Sequence, residues 1–130
     1  MNTATLMLIG RLLMASLFVV AGTRKMLAFA GTVGYFTKLG FPMPEATTIL
    51  AIIIELGGGI LLIIGYRTRW VAWLLGLFVL IATFAAHRFW EADPAQYGNQ
   101  LNHFFKNVVI MGGLLYIAAH GAGKQSMDKG

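Results

Sequence analysis

The amino-acid sequence predicts an all-α integral membrane protein, a four-helix bundle with an interfacial segment between its first and second helices. Three observations lead there. The 130 residues are 58% hydrophobic and only 12% charged, about half the charged fraction of an ordinary globular chain, which leaves too little polar surface to cover a water-soluble particle of this size. The apolar residues fall into four long blocks. No block shows the two-residue alternation of a strand, so helices, not a closed barrel, are the lipid-compatible backbone expected. This composition excludes a soluble enzyme.

The first block runs from Thr5 to Ala28 and carries one charge, Arg11. A cleaved leader is the competing reading. No basic segment precedes the apolar run and Arg11 interrupts it, so the block is expected to stay as the first helix. The second block, Ala46 to Gly65, has the roughly 20 residues needed to cross a 30 Å hydrocarbon core and holds Glu55 near its middle. The third is Trp70 to Ala86, and the fourth is Phe104 to His120, with Lys106 and Asn107 in its first turn. Together they use almost the whole chain, so residues 1–130 are read as a single transmembrane domain.

The connections differ in kind. Phe29 to Glu45 contains Gly40 and the restricted Phe41-Pro42 and Met43-Pro44 pairs, which predict an interfacial or re-entrant segment. Tyr66 to Arg69 predicts a tight hairpin, and His87 to His103 a polar, aromatic connection. The tail after His120, GAGKQSMDKG, is expected to fray. Four spans place both termini and the second connection on one face, with Arg67, Arg69, Lys124 and Lys129. The opposite face holds Arg24, Lys25, Lys38, Arg88 and Lys106. The positive-inside count is nearly a tie. The short two-arginine hairpin has no other evident role, so both termini are expected on the cytoplasmic side. The net charge of +5 is spread along membrane edges with no basic run, which points to the lipid bilayer and not to nucleic acid as partner. With no cysteine, the chain has no thiol nucleophile, disulfide or thiolate metal site.

Charges inside spans are costly, face the bundle interior and mark function, so Arg11 and Glu55 come first. At 1.5 Å per residue, Arg11 lies about 9 Å and Glu55 about 15 Å from the termini face, a gap within reach of an extended arginine. A structural ion pair between them, a proton- or substrate-handling role for Glu55, and simple snorkelling of Arg11 are the three readings. At the opposite face, Lys25, His87, Lys106 and Asn107, with Arg24, Arg88 and His103, predict a cationic rim. It suits an anionic or carbonyl-bearing ligand: a quinone head group, a sulfur oxyanion or a lipid phosphate. Interfacial anchoring by the same basic residues with Phe89 and Trp90 is the plainer alternative. His87 and His103 sit at loop boundaries, so no haem or other metal site is expected. Gly57, Gly58 and Gly59 predict close helix packing, or else a ligand lying over bare backbone beside Glu55.

An ordered set of residues adds to this reading: Arg11, Gly22 with Lys25, Gly31-Thr32 with Tyr35, Leu39-Gly40 with Pro42, Glu55 to Gly59, Gly65, Thr68-Arg69, His87, Trp90, Phe105 to Asn107 and Gly112-Gly113. Over nearly the whole chain it resembles the DoxX family of small bacterial four-helix membrane proteins, closest to its short inner-membrane branch. Members commonly end the fourth span with Gly-Pro-Gly, where this chain has Gly121-Ala122-Gly123; the following Ser126-Met127-Asp128 keeps the family's Ser-x-Asp pattern. The resemblance implies the cytoplasmic (inner) membrane and a role as anchor or quinone-interacting subunit of an oxidoreductase system linked to oxidative stress. It implies oxidoreductase partner proteins, with quinone as the one cofactor in view. By this analogy Arg11, Lys25, Glu55, His87, Lys106 and Asn107 are the matching positions. Two other readings stand beside it: a non-catalytic structural or interaction protein, as a homo-oligomer or alone, and a small lipid- or solute-binding or transport protein. No self-contained catalytic motif is present.

Overall fold

In the computed structural model, which describes residues 1–130, the chain opens on a side-chain cap. Asn2 Oδ1 accepts the Thr5 N–H at 2.8 Å, satisfying one of the donors that a helix start leaves free. Helix α1 then runs over Thr3–Leu27, α2 over Phe29–Lys38, α3 over Pro44–Ile64, α4 over Thr68–Ala86 and α5 over Pro94–His120. There is no strand. Helices α1, α3, α4 and α5 are long and apolar enough to cross a membrane.

Prolines move two of the starts outward. Pro44 and Pro94 sit in the first turns of α3 and α5, where the missing N–H costs nothing and φ is already helical. Helix α5 therefore begins well before Phe104, and most of the polar stretch read as a connection is helix. Lys106 and Asn107 lie deep within α5 and not in its first turn. Hydropathy marks only the part of a helix that lies in hydrocarbon, and α5 continues past it. The segment from Phe29 likewise forms a helix, α2, which packs on the N-terminal half of α3 and touches α1. Gly40, at φ +89°, turns the chain from α2 into α3.

Helix α1 packs along α3, α3 against α4, and α4 against α5, while α1 meets α5 over a short stretch. Ala15, Phe18, Leu62, Leu75 and Leu114 form the centre of the core. Between helices in lipid, apolar burial gives little drive, and close backbone contact takes its place. A Cβ on Gly22 would sit 2.7 Å from Leu56 N; on Gly59, 2.8 Å from Val19 Cγ2; on Gly58, 2.9 Å from Leu75 Cδ2. Gly57 would meet nothing within 4 Å. Packing in the glycine triplet thus falls to Gly58 and Gly59, and the register sets Gly22 level with Leu56 and Val19 with Gly59.

The tail does not fray. Met127 N–H donates to Ile64 O and Asp128 N–H to Gly65 O, both at 2.9 Å, and Gly121, Ala122 and Gly123 are buried. The Asp128 carboxylate accepts the N–H groups of Arg67 (2.9 Å) and Thr68 (2.8 Å). It thereby caps α4 from the far end of the chain and holds Arg67 at φ 51° in the left-handed region. Glycine-rich polar composition reads as loose chain, but here it meets the unpaired groups of the α3–α4 turn. Desolvation resists the Asp128 charge, but the Thr68 and Arg67 N–H groups and the Arg67 guanidinium outweigh it and hold the carboxyl below its usual range. A carboxyl lowered on folding stabilises at neutral pH, and that stability is lost as pH falls through its folded value. The tail is therefore expected to stay docked at neutral pH and to release below roughly pH 4. A spin label on K129C, the single thiol of that variant, reads the release. Asp128→Ala should raise label mobility at neutral pH and flatten its pH response, at a stability cost of about 1 kcal/mol, as for other lost caps.

Candidate functional site

Side chains on a helix lean toward its N-terminus, so on antiparallel neighbours some pairs converge and others diverge. Arg11 on α1 leans toward the termini face and Glu55 on α3 leans away from it. The expected Arg11–Glu55 pair is not formed. Lys25, at the far end of α1, leans back toward Glu55 and brings Nζ to 2.6 Å from Oε1. The ion pair inside the bundle is Lys25–Glu55.

Arg11 has a different task. Its Nε donates to Leu62 O at 2.6 Å, its Nη2 to Ile63 O at 3.3 Å and Gln125 O at 2.9 Å, and its Nη1 to Ala122 O. Two of these acceptors lie in the last turn of α3, the negative end of that helix, and two in the tail. At 3% exposure the guanidinium is inside the protein and does not snorkel to headgroups.

Glu55 lies in a π-helical turn, Ile53–Gly57, within α3. Such turns insert one extra residue and recur at functional sites. Glu55 is buried, with its side chain 6% exposed, and accepts no hydrogen bond from any group besides the Lys25 ammonium. Both residues face a cavity of about 500 Å³ in the half of the bundle away from the termini. Of its 24 lining residues 19 are hydrophobic, the others being Lys25, Thr47, Glu55, His87 and Asn107. The apolar share fits a lipid-soluble molecule, and the polar groups give it a place for a head group.

Two polar residues are held in place by neighbours. Asn107 Nδ2 donates to Thr83 Oγ1 at 3.0 Å, and the Thr83 hydroxyl donates to Val79 O at 2.6 Å. His87 Nδ1 lies 2.8 Å from Gln100 Oε1, a contact that calls for the Nδ1–H tautomer and leaves Nε2 free to accept. The His87 and His103 rings stack at 4.9 Å; no group of three or more His, Cys, Asp or Glu side chains converges on a common point.

The structure thus brings Lys25, Glu55, His87 and Asn107 together and leaves Lys106 outside. Lys106 does not line the cavity and is exposed, one residue and so about 100° around the helix from Asn107. Arg88 pairs with Glu91 at 3.0 Å on the surface, and none of Gly57, Gly58 and Gly59 lines the cavity. Sequence reasoning missed the roof: Tyr35, Phe36, Leu39 and Phe41, from α2 and the turn after it, close one side. Burial pushes the Tyr35 hydroxyl above its ordinary range, so it stays a donor at neutral pH. The aromatic spacing of that segment was the available signal.

A family model described as DoxX matches residues 6–88 of this chain. The chain is 36% identical over 124 residues to the inner membrane protein YphA of Escherichia coli K12, covering 95% of this chain and 89% of that protein. To the inner membrane protein YqjF of the same organism it is 36% identical over 122 residues, 94% of this chain and 88% of that one. Over 106 residues it is 31% identical to the ER-derived vesicles protein ERV29 of Saccharomyces cerevisiae, 79% of this chain but 33% of the yeast protein. No solved structure matches.

Proposed function

The chain belongs to the DoxX family, and on that premise we propose that this inner-membrane protein is the anchor or quinone-interacting subunit of an oxidoreductase system, with both termini cytoplasmic. The observation that carries the reading is the apolar cavity with Lys25, Glu55, His87 and Asn107 at hand. A quinone needs an apolar slot for ring and tail and hydrogen-bond donors for its carbonyls. The cavity lining supplies the first; the Lys25 ammonium, the Asn107 amide and the Tyr35 hydroxyl supply the second. When bound, the quinone supplies the electron-transfer chemistry, in concert with a partner oxidoreductase. The chain's own residues bind and orient the head, keep water from it, and can hold a proton at the Glu55 carboxylate or at His87 Nε2.

Copurification from native membranes in mild detergent, followed by mass spectrometry of small molecules and proteins, tests the reading. A lipophilic carbonyl compound at near-stoichiometric amount, together with a dehydrogenase-like partner, is expected. Ala82→Phe, which fills the cavity from its wall, should lose the compound without losing the fold. Bulk phospholipid alone, identical in wild type and A82F, would overturn the proposal in favour of a non-catalytic structural protein. The observation on that side is that Arg11 and Asp128, two of the chain's charged groups, engage backbone groups of the protein itself.

A further inference from the structure

The charge arithmetic of the cavity decides what kind of molecule can enter it. Among the lining residues the only lysine or arginine is Lys25, and the only acid is Glu55. The basic groups expected to make that end cationic, Arg24, Arg88 and Lys106, are exposed and lie outside the lining. Lys25 Nζ and Glu55 Oε1 are 2.6 Å apart, so the fixed charges facing the cavity cancel. The pair is also exclusive on the acid's side, because no other donor reaches Glu55. An anion entering the cavity either draws Lys25 away and leaves a carboxylate unpaired, or shares the ammonium and sets two negative charges against one positive, and each leaves an uncompensated charge among apolar side chains. An uncharged acceptor does not. An ammonium has three donors, and the Glu55 contact engages one of them. Leu50 and Leu77 line the cavity and are 57% and 55% exposed, so the cavity is not sealed from the outside of the bundle.

We propose that Glu55 is a specificity-determining residue that, by neutralising Lys25, makes the cavity select uncharged lipid-soluble molecules with a hydrogen-bond-accepting head and exclude anionic amphiphiles. The inference rests on the reading of the cavity as a ligand site. It narrows the candidate ligands to neutral carbonyl compounds and removes oxyanions and lipid phosphates from among them.

Isothermal titration of purified protein with two probes of similar chain length, a neutral 2-alkyl-1,4-naphthoquinone and palmitate, tests it. Wild type is expected to bind the neutral probe at least about tenfold more tightly. Glu55→Gln keeps the shape and removes the charge, and is expected to raise palmitate affinity by about tenfold or more while keeping the neutral probe. Lys25→Met, which leaves the carboxylate alone, should admit a long-chain alkylammonium instead, and this arm stands if E55Q does not fold. Equal binding of both probes by wild type overturns the proposal. So do intact naphthoquinone binding by E55Q without gain for palmitate, and K25M that refuses the alkylammonium. Wild type binding neither probe is a different failure, which overturns the ligand-site reading itself.

Discussion

Arg11→Ala is expected to cost about 3–5 kcal/mol of stability and to release the tail. Hydrogen bonds to a charged group are worth about 1.5–3 kcal/mol each, and four carbonyls, from Leu62, Ile63, Ala122 and Gln125, lose their donor together. The sum is not additive, since water at the termini face reaches some of the freed oxygens. Arg11→Lys should recover little, because one ammonium cannot spread its donors over the breadth of a guanidinium fork. Thermal unfolding in mild detergent measures the first effect, and the spin label at K129C the second. Unchanged melting with an immobile label would show that Arg11 does not anchor the tail. The exchange Arg11→Glu with Glu55→Arg, which would rescue a direct ion pair, is expected to fail like its single mutants.

The second large effect belongs to the pair itself. Lys25→Ala strands Glu55 as a buried charge and is expected to cost about 3–5 kcal/mol. The double variant Lys25→Met with Glu55→Leu should return most of the loss, because apolar replacement of a buried pair is commonly neutral or stabilising. A double-mutant cycle measured by thermal unfolding should give a coupling above about 1 kcal/mol; additive single effects would contradict the 2.6 Å contact. A stable double variant that no longer binds the neutral probe would also show what the pair is kept for.

Much of the fold was legible because span length and hydropathy are set by the bilayer and not by tertiary detail. The four spans and the two faces stood in the sequence for that reason. Lys25, Glu55, His87 and Asn107 stood out because charge and amide groups near hydrocarbon need partners. Which partner each takes did not follow. Comparing the depths of Arg11 and Glu55 treats side chains as points at their Cα heights, whereas their lean reverses between antiparallel helices and adds to the separation. The same lean closes the distance from Lys25 to Glu55. Lys106 looked equivalent to Asn107 on adjacency alone, and one step around α5 separates cavity from surface. The docked tail was hidden because its worth lies in groups that meet it from elsewhere, the ends of α3 and α4.

That docking has a consequence for how the protein is made. Helix α1 is made before α3, α4 and α5 and carries Arg11 into the membrane about 9 Å from the termini face, where an arginine costs less than the about 2.5–3.5 kcal/mol of a central position but is still unfavourable. Half of the guanidinium's acceptors come from α3, and the other half, Ala122 and Gln125, from residues synthesised after all four spans. The nascent bundle therefore carries an incompletely solvated charge until Ala122 and Gln125 have been synthesised and docked. A chain stopped short of Ala122 is left with that charge half-met and with α4 uncapped, so a truncation after the fourth span leaves its defect in the first helix.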